Sequence, residues 1–214
     1  MGSVADGVWA IVVAGGSSSR FGSPKQFATL GDVTVLDHSV RTARRSVDGV
    51  VAVVPEGGPD AIAGADVVVT GGPTRSESVR RGLARVPAGA EVILVHDAAR
   101  PLATPALFDA VVAAVRGGAE VVTPAVPVTD TLRSRTGGTV DRDALVAVQT
   151  PQGFRATVLR AAHDSGAEAT DDVTLAESVG AAVVTVDGDR WNLKITEPDD
   201  LVVAEAIWRL RTSS

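Results

Sequence analysis

Short apolar runs alternate with helix-like stretches along almost the whole chain. The runs at residues 8–13, 50–54, 67–69, 92–95, 121–125 and 182–186 are rich in Val and lack polar alternation. Such runs predict strands of a parallel sheet buried on both faces. Between them, residues 35–44 predict a helix, and residues 74–86 place Val79, Leu83 and Val86 on one helical face. Thr104 and Pro105 suit the N-cap and first position of a helix whose stripe is Leu107, Val111 and Val115. Thr196 predicts the cap of a last helix, with Asp199 three residues on as in a capping box and Leu201, Ala204 and Trp208 facing inward. The alternation implies right-handed βαβ units. The expected fold is α/β, a doubly wound, mostly parallel Rossmann-like sheet in one domain spanning residues 1–214.

Residues 127–147 break the rhythm. They are polar and carry Gly137–Gly138 between β-compatible residues, which predicts a hairpin turn between two short strands. A lone hairpin is marginal in water. This one is expected to be a protruding arm packed on a second copy of the chain; the competing reading is an unstructured insertion.

Composition narrows the function. The chain has 214 residues, no Cys and no Tyr, so thiolate zinc sites and Cys nucleophiles are excluded. The net charge of −6 and the 3% aromatic content argue against broad nucleic-acid binding and base-stacking platforms. No apolar stretch reaches the ~18 residues of a membrane span, and residues 1–7 lack signal-peptide features. A cytoplasmic protein is expected.

Three polar clusters each follow a predicted strand, where ligands of a parallel sheet bind. The first, AGGSSSRFGSPKQF, joins Ala14, Gly15 and Gly16 to Arg20 and Lys25. A glycine-rich turn with fixed cations can grip nucleotide phosphates, or it can be an ordinary Gly/Ser surface loop. The second, GGPTRSES, lets Gly71 and Gly72 approach a flat ligand and puts Arg75 and Ser78 at a helix start. An ordinary strand–turn–helix link fits it equally. In the third, HDAARP, Asp97 stands where a carboxylate can hold Mg²⁺ against phosphate. Arg100 either pairs with Asp97 or meets ligand, and His96 is assigned no proton transfer. Lys194, in WNLKITEPDDL, is either a semi-buried paired cation or a snorkelling surface lysine. The stretch TPQGF with Arg155, and Thr170–Asp171–Asp172, read as a loop and a helix start. The chain has no P-loop, no G-x-G-x-x-G, no H-E-x-x-H and no G-x-S-x-G.

Taken in order, AGGSSSRFGSPKQF, LDHSV, GGPTRSESV, HDAARP, VTDTL, TPQGF, TDD and NLKITEPDDL resemble the 2-C-methyl-D-erythritol 4-phosphate cytidylyltransferase family, from Val8 to about Leu210. The resemblance implies a nucleotide-diphospho-sugar transferase type of fold and transfer of a cytidylyl group from CTP to methylerythritol phosphate. It implies that Arg20, Lys25 and Lys194 contact the triphosphate and that Asp97 holds Mg²⁺ or another divalent cation. Ala14, Gly15, Gly16, Gly71, Arg75, Ser78 and Arg100 would bind the nucleotide, with Ala14, Gly15, Gly71 and Ser78 on the cytosine. Thr131 and Arg155 would bind the acceptor, and the arm would reach across a homodimer. Two departures stand out: Ser18 replaces a second glycine of the family loop, and Pro73 stands where some relatives carry an acid. Transfer to another polyol phosphate such as ribitol 5-phosphate, or nucleotide binding without catalysis, are the alternatives.

Overall fold

A computed structural model describes residues 7–15, 21 and 24–213. In chain order it contains β1 (Val8–Val13), β2 (Thr29–Leu30), β3 (Val33–Thr34), α1 (Val35–Arg44), β4 (Gly49–Val54), β5 (Val67–Thr70), α2 (Arg75–Leu83) and β6 (Val92–Asp97). There follow α3 (Pro105–Arg116), β7 (Val121–Pro127), β8 (Leu132–Arg133), β9 (Thr139–Val140), β10 (Val146–Val148) and β11 (Gln152–Arg155). The chain ends with α4 (Ala156–Asp164), α5 (Asp172–Ser178), β12 (Val183–Asp187) and α6 (Pro198–Thr212).

The main sheet runs β12–β7–β11–β6–β1–β4–β5, and β10 continues beyond β11 along β7. β1 is parallel to β4 and β6, β4 to β5, and β7 to β12, whereas β10 and β11 run antiparallel. This is the mixed, mostly parallel sheet expected. Of the two antiparallel strands, β11 lies in the TPQGF–Arg155 stretch read as a loop, and β10 begins at the end of the segment read as the arm.

Strand residues alternate between two apolar layers, as a period of two requires. Ala10 and Val12 of β1, with Leu94 of β6, pack against Leu36 and Val40 of α1 and Phe108 and Val111 of α3. Ile11, Ile93 and Val95 pack on the opposite face against Val79 of α2, Leu159 of α4 and Leu175 of α5. Both faces are covered, which explains the unbroken Val-rich runs.

A third, smaller cluster of Leu30, Val35, Leu102, Ile195 and Ala204 seats α6 on the β2–β3 hairpin. Gly31 turns that hairpin at φ +65°, and a side chain there would collide with the Trp208 ring. Ile195 is fully buried and its N–H donates to the Ala99 carbonyl at 2.8 Å. The cluster therefore brings residues from near both ends of the chain to the end of β6.

The cap of α6 differs from expectation by one residue. Pro198 takes the first helical position, so Glu197 becomes the N-cap and Asp200, rather than Asp199, closes the motif. The Asp200 carboxylate accepts the N–H groups of Thr196 (2.7 Å) and Glu197 (2.9 Å). Thr104 caps α3 as expected, its Oγ1 accepting the Leu107 N–H at 3.3 Å.

The arm is a hairpin of β8 and β9, turned at Gly137 and Gly138 with positive φ at both. Because β7 runs through Pro127 and β10 starts at Val146, the excursion occupies 128–145. No helix of the described residues is long and apolar enough to cross a membrane.

Candidate active site

The carboxyl ends of β1, β5 and β6 share one edge of the sheet. Ala14 and Gly15 leave β1, Gly71 and Gly72 leave β5, and Asp97 is the last residue of β6. A methyl group at Gly15 would meet Ser78 Oγ at 2.9 Å and Gly71 Cα at 3.8 Å, and one at Gly71 would meet the same Oγ at 2.8 Å. Gly15, Gly71 and Ser78 thus adjoin. Ser78 Oγ accepts the Gly72 N–H at 3.1 Å and donates to the Thr74 carbonyl at 2.9 Å. The buried Ser78 hydroxyl thereby holds the Gly71–Gly72 turn against the start of α2, close to Gly15.

Asp97 is the electrostatic centre. Its Oδ2 accepts from Lys194 Nζ at 2.6 Å and its Oδ1 from Arg75 Nε at 3.3 Å. Burial opposes its charge, but Arg75 and Lys194 outweigh burial and hold the carboxyl well below the usual carboxylate range. Arg75 also donates Nη1 to Asp172 Oδ2 at 2.7 Å, and Asp172 Oδ1 meets His163 Nε2 at 3.0 Å. Burial works against the Arg75 charge too, and Asp172 and Asp97 overcome it, raising its pKa further. Arg75, expected on the nucleotide, is thus engaged by two carboxylates.

Lys25 completes the convergence. Its short 3-10 turn, Lys25–Phe27, directs Nζ to the Ile195 carbonyl at 2.7 Å, one residue from Lys194. Lys25 thus reaches, from most of the chain away, the backbone next to Lys194, whose own ammonium pairs with Asp97. Arg20 and Gly16 lie outside the described residues.

His96 and Thr150 fix the turn that carries Asp97. Thr150 Oγ1 accepts the Asp97 N–H at 3.0 Å and so donates to His96 Nδ1 at 3.1 Å. His96 Nε2 then carries the proton and donates to the Arg100 carbonyl at 3.2 Å. Burial pushes the His96 pKa from 6.5 down to about 4, with Asp97 opposing and Arg100 adding to the shift. The folded imidazole is neutral, so stability is complete above pH 6.5 and falls as pH drops towards 4, where only the unfolded chain takes up a proton. Urea unfolding should show a loss of about 2 kcal/mol between pH 7 and pH 5 that the His96→Gln variant lacks. An equal loss in that variant would assign the slope elsewhere.

Arg100 does not pair with Asp97. Its Nη1 donates to the Asn192 carbonyl at 2.7 Å and its Nη2 to the Val148 carbonyl at 3.4 Å, so it ties β10 and the 192 segment to the site. Burial lowers its pKa. Thr131 lies exposed on the arm.

The structure does not bring Arg155 to the site. Because β11 runs antiparallel to β6, Gln152 stands beside Val95 but Arg155 stands beside Val92, at the opposite end of the strand from Asp97. Five residues of strand are roughly 16 Å. Arg155 Nη2 instead donates to the Gly118 carbonyl at 2.7 Å. The arm has cations of its own, the exposed Arg133, Arg135 and Arg142, and Arg142 Nη1 braces the Thr129 carbonyl at 2.7 Å, close to Thr131 in sequence. Sequence reasoning passed over Thr150, His163, Asp172 and Asn192. The TDD triplet was the available signal for Asp172, but nothing in it announces the partner Arg75, 97 residues away.

Among the described residues no group of three or more His, Cys, Asp or Glu could cage a metal. Mg²⁺ commonly binds through one or two carboxylates plus substrate phosphates. A lone Asp97 at a strand end fits an ion that arrives with a triphosphate.

The family profile for 2-C-methyl-D-erythritol 4-phosphate cytidylyltransferase matches residues 8–210. A protein of that name from Frankia casuarinae is 45% identical, over 94% of this chain and 80% of the relative. Its namesake from Nocardia farcinica is 44% identical, over 94% of this chain and 93% of the relative. The crystal structure of 2-C-methyl-D-erythritol 4-phosphate cytidylyltransferase from Thermus thermophilus superposes with a TM-score of 0.82 at 35% identity, covering 93% of this chain and 98% of that one.

Proposed function

The chain belongs to the 2-C-methyl-D-erythritol 4-phosphate cytidylyltransferase family, and from that premise we propose how its residues divide the work. The enzyme transfers the cytidylyl group of CTP to methylerythritol phosphate in isoprenoid biosynthesis. An acceptor phosphate oxygen bonds to the α-phosphorus, the α–β bridging bond breaks, and pyrophosphate leaves. The acceptor phosphate is already ionised at neutral pH, so no strong general base is needed. Both reactants are polyanions, and alignment and charge stabilisation carry the catalysis.

Lys25 and Lys194 neutralise the triphosphate, with Arg20 assigned to the same phosphates. The observation that carries this reading is the Lys25 Nζ bond to Ile195, beside the Lys194–Asp97 pair. Lys194 has three N–H donors, so it can keep Asp97 and still donate to phosphate. Ala14, Gly15, Gly71 and Ser78 are assigned as the seat for the cytosine, with Gly16 assigned to the nucleotide. Asp97 would hold Mg²⁺, which would offset the charge of the phosphates. Arg100 orders the wall beside the nucleotide through Asn192 and Val148.

The acceptor is assigned to the arm of a second copy, through Thr131 and the neighbouring Arg142. The arm exposes its cations, and Leu145, Val146 and Val148 beside it are 38–55% exposed. Apolar residues so placed suit burial against a partner. An acidic, Cys-free chain acting on charged metabolites supports a cytoplasmic location.

One experiment tests the shared site. Lys194→Ala and Thr131→Ala/Arg142→Ala chains, each expected to be nearly inactive alone, are co-expressed with different tags and purified as the mixed dimer. Pyrophosphate release from CTP and methylerythritol phosphate should reappear, since one composite site is intact. A folded mixed dimer without activity would mean that each arm serves its own chain.

A further inference from the structure

We propose that Asp172 and Arg75 form a positioning device for Asp97, and that Arg75 acts on Asp97 rather than on the nucleotide. The inference rests on the assignment of Asp97 to the reacting phosphates.

Asp97 has two cationic contacts of different character. Lys194 reaches it with a flexible side chain that is 43% exposed. Arg75 is only 23% exposed and is held from behind. Its guanidinium is a rigid plane, so the Asp172 bond at Nη1 also fixes the direction in which Nε meets Asp97. Asp172 in turn has no exposed surface and is gripped by His163 Nε2 at 3.0 Å.

The supports of Asp172 are themselves braced. Asp171 caps α5 by accepting the Thr174 N–H at 3.0 Å, and its other oxygen accepts from Gln152 Nε2 of β11 at 3.2 Å. Ser76, in the first turn of α2, accepts the Ala169 N–H at 3.2 Å. Helices α2 and α5 thus converge on one run of hydrogen-bonded side chains, His163–Asp172–Arg75–Asp97–Lys194, with strand β11 bracing α5 through Asp171. A side chain wanted only for nucleotide charge would not need two carboxylates of its own protein. A side chain wanted to set the angle of a carboxylate needs this arrangement.

Outer partners that orient a phosphate- or metal-binding carboxylate typically change activity by about 10–100-fold when removed. The test compares wild type, Asp172→Asn, Arg75→Gln/Asp172→Asn and Asp97→Asn in Mg²⁺-containing buffer. The double variant removes one buried charge of each sign, which avoids leaving a carboxylate unpaired. Steady-state pyrophosphate release gives kcat and KM, calorimetry with CTP alone gives Kd, and circular dichroism reports folding. The expected result is native folding, kcat lower by roughly 10–100-fold in both Asp172 variants, and KM and Kd for CTP within about threefold of wild type. Wild-type kcat in the folded double variant, with Asp97→Asn inactive, would overturn the inference alone. A tenfold or greater weakening of CTP binding with kcat preserved would make Arg75 a nucleotide contact and overturn it as well. Wild-type turnover in Asp97→Asn would remove Asp97 from the mechanism, and the inference with it.

Discussion

Replacing Lys194 with alanine should lower kcat by about 10²–10³, equivalent to roughly 2.7–4 kcal/mol of lost transition-state stabilisation. The chain should still fold. Lys194 is held in place by its neighbour, the buried Ile195, and its own side chain is 43% exposed, so its loss opens no cavity. Asp97 keeps the Arg75 contact at 3.3 Å in the variant. The deficit should therefore fall on catalysis, while thermal melting stays near that of wild type. Lys25→Ala should behave alike, because its ammonium meets the same segment at the Ile195 carbonyl. Turnover like wild type in a folded Lys194→Ala enzyme would remove that residue from the reaction.

Asp97→Asn should be the other severe variant, with kcat reduced by about 10³. The amide keeps the size of the side chain and loses its charge. Two cations then lack their shared partner, and a charged hydrogen bond is worth about 1.5–3 kcal/mol, so stability should also fall by that order. The sign of the pH dependence follows from the position of the carboxyl. Arg75 and Lys194 hold it ionised against burial, below the ordinary range. Its contribution is complete above the unfolded carboxylate pKa and is lost only as pH falls through the lower folded value. Between pH 6 and pH 8 the gap between wild type and Asn variant should be constant, in both kcat and unfolding midpoint. A gap that opens or closes across that range would point to a titrating partner instead.

Most of the sheet was legible from continuous Val-rich runs, which burial on both faces explains for β1, β4 and β6, while the partly exposed β5 and β12 carry the same runs. β1, β4, β5, β6, β7 and β12 all lie where such runs occur. The antiparallel pair was not legible. β11 opens on Gln152 and Gly153, and β10, Val-Ala-Val, is three exposed residues too short to stand out; their pairing with β7 and β6 is set by tertiary contact. That one strand direction decided the fate of Arg155, which follows the site residues in sequence but moves away from them in space.

That Lys25 would reach the segment carrying Lys194 was legible only through the resemblance to a family. No local pattern links Lys25 to Ile195, 170 positions on, and the link is made by the apolar cluster around Ile195. Arg75 shows the reverse case. A cation at a helix start reads as an anion site, yet the buried carboxylates that claim it lie 22 and 97 residues further on. The cap of α6 shows how a single residue decides a boundary: Pro198 fixes the first turn, and the capping carboxylate moves from Asp199 to Asp200.

The nucleotide is expected in one pocket at the carboxyl ends of β1, β5 and β6. A crystal structure of the chain with CTP and Mg²⁺ tests it most directly. The α-phosphate should lie within hydrogen-bonding reach of Nζ of Lys194, the triphosphate alongside Lys25, and the cytosine against Gly15, Gly71 and Ser78. A triphosphate bound away from both lysines, with Asp97 still covered by Arg75 and Lys194 alone, would contradict it.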